Sequence, residues 1–275
     1  MEGHPHDPDR PRTTSDPQGS GHAPAVRYGP REGDAFGAAL MACWESGAAP
    51  YAVLELIERD DGYLDGGDAE QYFAGPEQWG PLDHWVCDRA HGRVLDVGSG
   101  AGRHSLYLQA RGRDVVALDV SPLAGEVCRR RGIRQVFTGT VTDLAQRDGG
   151  PFDTFLLLGN NLGLLSSAGH APLFLGALAA LAAPGAGILG KGMDPYRTEN
   201  ELHLAYHARN RALGRLGGQI RMRVRFRDLA TDWFDYLFAT VDELRGLLDG
   251  TAWRLEHVEA QPDGPHYVAL LRHTG

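Results

Sequence analysis

Residues Arg93 to Val120 read RVLDVGSGAGRHSLYLQARGRDVVALDV. An apolar run, Val94, Leu95 and Val97, ends in a turn that carries Gly98, Gly100 and Gly102. A helical segment follows through His104, Leu106 and Leu108 to Gly112, and a second apolar run, Val115 to Leu118, closes on Asp119. Strand, glycine turn, helix and strand in that order make a parallel pair with a helical crossover, whose first unpaired N–H groups face a ligand. The glycines let the backbone bend and approach that ligand closely. An acidic residue ending the second strand, about 20 residues on, is placed to accept hydrogen bonds from a ribose. The stretch therefore predicts a cofactor that contains a nucleoside.

Two details narrow the cofactor. A dinucleotide fingerprint needs glycine where Arg103 stands, because the third glycine comes one place early. Asp96, two residues before Gly98, would repel a pyrophosphate and suits a cofactor with cationic groups. The run DVGSGAG after an apolar strand, with ALD closing the next strand, resembles motif I and the following acidic position of the class I S-adenosylmethionine-dependent methyltransferases. The resemblance implies that Asp96, Gly98, Ser99, Gly100 and Gly102 line the methionine part of the cofactor. It implies that Asp119 and Val120 meet the ribose and that Thr142 and Asp143 meet the adenine; as a bare residue, Asp143 could instead cap the following turn. The implied fold is α/β: a Rossmann-like, doubly wound, mostly parallel seven-stranded sheet with an antiparallel last strand. A nicotinamide or flavin Rossmann domain is the alternative.

With 275 residues, 42% hydrophobic and 23% charged, the chain suits one well-buried α/β domain with additions. A net charge of −9 supplies no basic field for nucleic acid or an anionic membrane, so neither is an expected partner. Cys43, Cys87 and Cys128 are widely spaced with no C-x-x-C pair, which predicts neither a disulfide framework nor a cysteine zinc site and fits a reducing compartment. Without a long apolar span or an apolar signal core, a cytoplasmic protein is expected.

Three segments are expected. Residues 1–32, rich in Pro, Gly, His, Asp and Ser, read as a disordered tail, and His4, His6 and His22 there are not assigned a metal. Residues 33–91 read as a helical lid: Phe36, Leu40, Met41 and Trp44 recur at helical steps, and Tyr51, Leu54, Leu56 and Ile57 do so less cleanly. Tyr63, Tyr72, Phe73 and Trp79 are candidates for walls of the site, or for staples that fix the lid to the core. Residues 92–275 read as the cofactor domain, with a substrate-side insertion at about 195–238.

The fourth strand, FDTFLLL, ends in Gly159, Asn160 and Asn161, at the end of a parallel strand where ligands bind. Gly159 and Asn160 are assigned to the cofactor and Asn161 to the acceptor. The stretch is not D/N-P-P-Y/F, the amino-methylating motif of many nucleic-acid methyltransferases, which argues against nucleobase amines.

In the insertion, Pro195 to Gly214 reads as a helix with Thr198 as its N-cap, and His203 and His207 share a face. Lacking an H-E-x-x-H context and a third ligand, they are not assigned a metal. QIRMRVRFR alternates Ile220, Met222, Val224 and Phe226 with four arginines, a half-buried strand whose expected partner is Asp232 to Phe238. The arginine face is either a solvated edge that resists aggregation, or a clamp in which Arg221 and Arg223 hold an anionic substrate group, or an RNA surface. His203, His207 and Asp194 are candidates for a general base, with His104 a lesser one. Tyr196, Arg197, Trp233 and Tyr236 are candidates for positioning the substrate. The expected function is methyl transfer from S-adenosylmethionine to nitrogen or oxygen of a small molecule, one with an anionic group if the arginines clamp it. The alternatives are an RNA or protein methyltransferase, or a non-catalytic partner protein that binds the cofactor. Insertions at this point in the family also build oligomer interfaces, so a homodimer is a further expectation.

Overall fold

The computed structural model describes residues 29–275. The expected disordered tail lies outside the described residues up to position 28, together with His4, His6 and His22. Its last two residues, Arg31–Glu32, form a short strand, β1. Helix α1, Ala35–Glu45, starts where Asp34 Oδ1 accepts a hydrogen bond from the Gly37 amide at 2.9 Å, a side-chain N-cap.

The helical reading of Tyr51 to Ile57 is corrected. Leu54–Arg59 (β2) and Leu64–Asp68 (β3) form an antiparallel hairpin with Glu58 opposite Leu64 and Leu54 opposite Asp68. Apolar side chains sit on both faces, Leu54 and Leu56 outside and Ile57 inside, so no clean alternation marks the strand. The turn contains Asp61-Gly62, a hairpin dipeptide in which Gly62 takes φ +87°. Helix α2, Pro81–Arg89, follows two 3₁₀ turns, Ala69–Tyr72 and Pro76–Gln78.

Strand and helix then alternate: β4 Arg93–Val97, α3 Arg103–Ala110, β5 Asp114–Asp119, α4 Pro122–Arg130, β6 Gln135–Thr138, α5 Val141–Ala145, β7 Phe152–Leu157, α6 Ala171–Ala180 and β8 Ala182–Met193. The insertion supplies α7 Glu201–Ala212, β9 Gln219–Phe226, β10 Leu229–Ala230 and β11 Phe234–Leu237. Asn200, not Thr198, caps α7, its Oδ1 accepting from the Leu202 amide at 2.9 Å. The chain closes with α8 Val241–Leu248, β12 Trp253–Ala260 and β13 His266–His273.

Seven strands form one sheet in the order β12-β13-β8-β7-β4-β5-β6. The five from β8 to β6 are parallel, and β13 runs antiparallel to both β8 and β12. This is the Rossmann-like sheet expected from the glycine turn. On β4, Val94 packs with Val86 of α2 and Leu108 of α3, while Leu95 and Val97 pack with Leu144, Leu175 and Leu247 of α5, α6 and α8. Coverage on both faces is why such strands read as near-continuous apolar runs.

A second sheet lies over the carboxyl ends of the first. Its order is β3-β2-β9, with β10 and β11 both on the far side of β9 and β1 against β10. The expected partner of β9 is β11, with Phe234 opposite Met222 and Leu237 opposite Gln219. The lid is therefore a sheet with one helix against it, built jointly by the N-terminal segment and the insertion, and not a helical N-terminal element. Among the described residues no helix is long and apolar enough to cross a membrane.

Candidate active site

Between the parallel strand ends and the lid sheet lies a cleft of about 1360 Å³. A single small-molecule site typically occupies roughly 300–1,000 Å³, so there is room for a second ligand beside a first. The floor is built from the glycine-rich stretch: Asp96 from β4, then Gly98, Ser99 and Gly100, then Asp119 and Val120 from the end of β5. Gly98 takes φ +69°, and a Cβ there would come 2.5 Å from Asn161 Nδ2. That amide donates to the carbonyls of Val97 and Gly98, each at 3.0 Å, so the end of β7 fixes the turn. Gly102 does not reach the cleft. It packs against Ile133 and opens α3 in the left-handed conformation, φ +74°.

Two buried carboxylates define the floor. Asp96 accepts from Ser105 Oγ at 2.7 Å, and burial pushes its carboxyl above the ordinary value. Asp119 accepts from the amides of Gly100 and Ser121, both at 2.9 Å, and burial pushes it up to about 6. Beside them Asp34 Oδ2 accepts from Ser121 Oγ at 2.7 Å and from the Leu123 amide at 3.1 Å, tying α1 of the lid to the start of α4.

The cations of the floor are already paired. Asp83, buried on α2, lies 3.0 Å from His104 Nε2, 2.9 Å from Lys191 Nζ and 3.4 Å from Arg103 Nη2. Burial opposes ionisation of Asp83, but the His104 hydrogen bond and the Lys191 charge hold it well below the usual carboxylate range. His104 therefore donates its Nε2–H to Asp83. Asp143 lies off the cleft: its Oδ2 accepts from the Thr140 amide and hydroxyl at 2.8 and 2.7 Å, closing the capping box of α5. Thr142 does line the cleft.

Gly159, Asn160 and Asn161 line the cleft at the end of β7. Asn160 sits at φ +69° with its Oδ1 buried and unpartnered. Tyr236 donates its hydroxyl to the Asn160 carbonyl at 2.7 Å.

The roof corrects several substrate assignments. Ile57, Ile220, Met222 and Val224 turn inward, so by strand alternation Arg221, Arg223 and Arg225 turn outward. Arg223 Nε lies 2.8 Å and Arg225 Nη1 3.4 Å from Glu58 Oε2, and Arg221 Nη1 lies 3.5 Å from Asp235. Arg221 and Arg223 are thus an outer ionic face and not a substrate clamp. Trp233 stacks under the Arg223 guanidinium at 4.6 Å, outside the cleft. Trp79 is 9% exposed and donates its indole N–H to the Ala74 carbonyl at 2.9 Å, a staple of the core. Tyr196 also lies off the cleft, its hydroxyl on Glu243 at 2.6 Å. Tyr63, Tyr72, Arg197 and Tyr236 do line it, Arg197 donating to the Gly264 carbonyl.

The three base candidates, Asp194, His203 and His207, all face the cleft. His203 Nδ1 lies 3.0 Å from Arg59 Nη1. A guanidinium only donates, so Nδ1 accepts and the proton sits on Nε2. Burial and then the Arg59 charge lower the His203 pKa, so this ring offers the cleft a donor. His207 is buried with Nδ1 unpartnered, and burial lowers its pKa. Among the described residues no group of three or more His, Cys, Asp or Glu is placed to hold a metal ion.

Glu55 has no counterpart among the expected site residues. It lies in the cleft wall, 3% exposed; its Oε1 accepts from Tyr72 Oη at 2.5 Å, and its Oε2 is buried without a partner. Its signal in the sequence was a single acid between Leu54 and Leu56, in a segment read as helix.

The chain matches the family model described as a methyltransferase domain over residues 94–185. No curated protein sequence matches it. Among solved structures, a S-adenosylmethionine-dependent methyltransferase from Bacteroides fragilis, in complex with S-adenosyl-L-homocysteine, is 28% identical with a TM-score of 0.74, covering 90% of this chain and 97% of that one. A S-adenosylmethionine-dependent methyltransferase from Methanosarcina mazei is 15% identical with a TM-score of 0.54, covering 71% and 98%. The CcbJ methyltransferase of Streptomyces caelestis is 13% identical with a TM-score of 0.53, covering 72% and 94%. The last two share the fold. The Bacteroides match spans most of the chain and so takes in the lid as well as the sheet. A glycine turn backed by two buried carboxylates suits a sulfonium nucleoside, and the chain is a S-adenosylmethionine-dependent methyltransferase with the class I, Rossmann-like fold.

Proposed function

We propose that the enzyme methylates a nitrogen or oxygen of a small molecule held between the cofactor floor and the lid sheet. The observation that carries this is the roofed cleft, with an apolar inner face of Ile57, Ile220, Met222 and Val224 and with Arg221, Arg223 and Arg225 turned away. The RNA reading rested on those arginines, which pair with Glu58 and Asp235. The anionic substrate group rested on them too and is not proposed.

The donor set fits the cofactor. Asp119 is placed to accept from ribose hydroxyls, and Asp96 with the Gly98–Gly100 backbone would face the cationic methionine end. Thr142 lies where the adenine is expected, and the orphaned Oδ1 of Asn160 supplies an acceptor at the end of β7. When bound, S-adenosylmethionine supplies a methyl group on a positively charged sulfur, open to displacement. The protein's part is chiefly to align an acceptor lone pair with that carbon, which in favourable model systems supplies about 7–11 kcal/mol. A hydroxyl or ammonium acceptor must also lose a proton. Asp194 and His207 are the groups placed to take it, since His203 accepts from Arg59 and presents a donor. A cytoplasmic location is proposed from the cysteines, three buried free thiols whose pKa burial raises to about 11 for Cys43 and about 12 for Cys87 and Cys128.

The test is incubation of the full chain with cell extract and a cofactor whose methyl group is deuterated, followed by mass spectrometry. Label in the low-mass fraction is expected; label confined to RNA or protein would overturn the small-molecule reading.

A further inference from the structure

We infer that Glu55 is the carboxylate that recognises the methyl acceptor, and that the acceptor offers it an amine. The inference rests on the methyltransferase reading above and adds its substrate class.

Strand parity turns Glu55, Ile57 and Arg59 into the cleft and Leu54, Leu56 and Glu58 away from it. Glu55 is held by one hydrogen bond, from Tyr72 Oη to Oε1 at 2.5 Å. The Tyr72 ring comes 3.6 Å from where a Cβ on Gly100 would stand. The Glu55–Tyr72 pair therefore stands beside the glycine turn, in the wall of the same cleft.

The second carboxylate oxygen is the decisive observation. Oε2 is buried with no partner, and an unsatisfied buried acceptor is destabilising, more so when it is charged. The protein does not supply the missing cation. Among the described cations that line the cleft, Arg59 is engaged by Asp61 at 2.8 Å, Arg103 and Lys191 by Asp83, and Arg197 by the Gly264 carbonyl. Arg223 and Arg225, on the strand paired with β2, point to the outer face. A donor group on a ligand in the cleft would complete the site. A hydroxyl would satisfy one lone pair and leave the charge, an ammonium satisfies both, and a carboxylate would be repelled. Burial raises the Glu55 carboxyl above its ordinary value against the Tyr72 hydrogen bond, a balance that an adjacent cation would tip back to the ionised form. Ile57, Met222 and Val224 beside it offer an apolar surface to the body of the acceptor.

The test uses the full chain loaded with S-adenosylhomocysteine and titrated with benzylamine, benzyl alcohol and benzoate as probes. Benzylamine should bind at least tenfold more tightly than either of the others. Glu55→Gln, which keeps shape and removes charge, should abolish that preference while S-adenosylhomocysteine affinity stays within twofold. Tyr72→Phe, which leaves the carboxylate in place, should keep the preference. Equal binding of benzylamine and benzyl alcohol to the wild-type protein, or an unaltered preference in folded Glu55→Gln, overturns the inference and leaves the methyltransferase reading intact. Failure of S-adenosylhomocysteine itself to bind overturns both. The comparison of three probes on the wild-type protein needs no variant to fold.

Discussion

Glu58 Oε2 accepts a hydrogen bond from Arg223 Nε at 2.8 Å, across the pairing of β2 with β9 on the outer face of the lid. The bond joins the N-terminal segment to the insertion without touching the cleft. Opposite-charge pairs across a sheet contribute about 0.2–1 kcal/mol. Arg223→Ala should lower the unfolding temperature by a few degrees at most and leave S-adenosylhomocysteine affinity unchanged, as thermal unfolding and calorimetry would show. Glu58 is held below its ordinary value of 4.5 chiefly by the Arg223 hydrogen bond. Its contribution is therefore complete above that value and lost as the pH falls through the lowered one, so wild type and variant should converge in acid.

Asp119 behaves in the opposite sense. Burial lifts its carboxyl from 3.8 to about 6, so the protonated form favours the folded apo protein. That contribution is complete below pH 3.8 and is lost as the pH rises through about 6. Accepting from ribose hydroxyls needs the ionised form. Cofactor affinity should therefore decline as the pH falls below about 6, the value given by burial. Asp119→Asn should flatten this dependence and weaken binding at least about tenfold, a loss of about 1.4 kcal/mol. Titrations across that range check both.

Asp34 holds three donors, the Gly37 amide at 2.9 Å, Ser121 Oγ at 2.7 Å and the Leu123 amide at 3.1 Å. It is both the cap of α1 and the latch of the lid to the cofactor floor. Asp34→Ala should cost about 1–2 kcal/mol. Hydrogen exchange should quicken throughout α1; unchanged exchange there would show that the lid is held by packing alone.

Gly163 lies so close to Tyr236 that a Cβ would overlap the ring. Gly163→Ala should push Tyr236 away from the Asn160 carbonyl and cost about 1–3 kcal/mol by overpacking. Denaturant unfolding measures the loss, and a variant as stable as wild type would mean that the β11 loop yields freely.

The floor of the site was legible in the sequence because the backbone and two carboxylates build it within one contiguous stretch, Asp96 to Asp119. The roof was not, because its geometry comes from pairing between β2 and β9, which lie far apart in the chain. Alternation in QIRMRVRFR marked two faces correctly. What it could not mark is that the apolar face, which reads as core, looks into the cleft. Asp143 and Trp79 each carried two readings, ligand contact or local structural role, and each is taken up by a local partner, Thr140 and the Ala74 carbonyl. Glu55 escaped notice because both faces of β2 carry apolar side chains and the strand resembled a ragged helix.

Calorimetric titration of the full chain with S-adenosylhomocysteine tests most directly whether Asp119 and the glycine turn hold the cofactor. One site per chain is expected, with affinity weakened at least about tenfold in Asp119→Ala, a loss of about 1.4 kcal/mol or more. No heat of binding to the wild-type protein, or equal affinity in a folded Asp119→Ala variant, would contradict it.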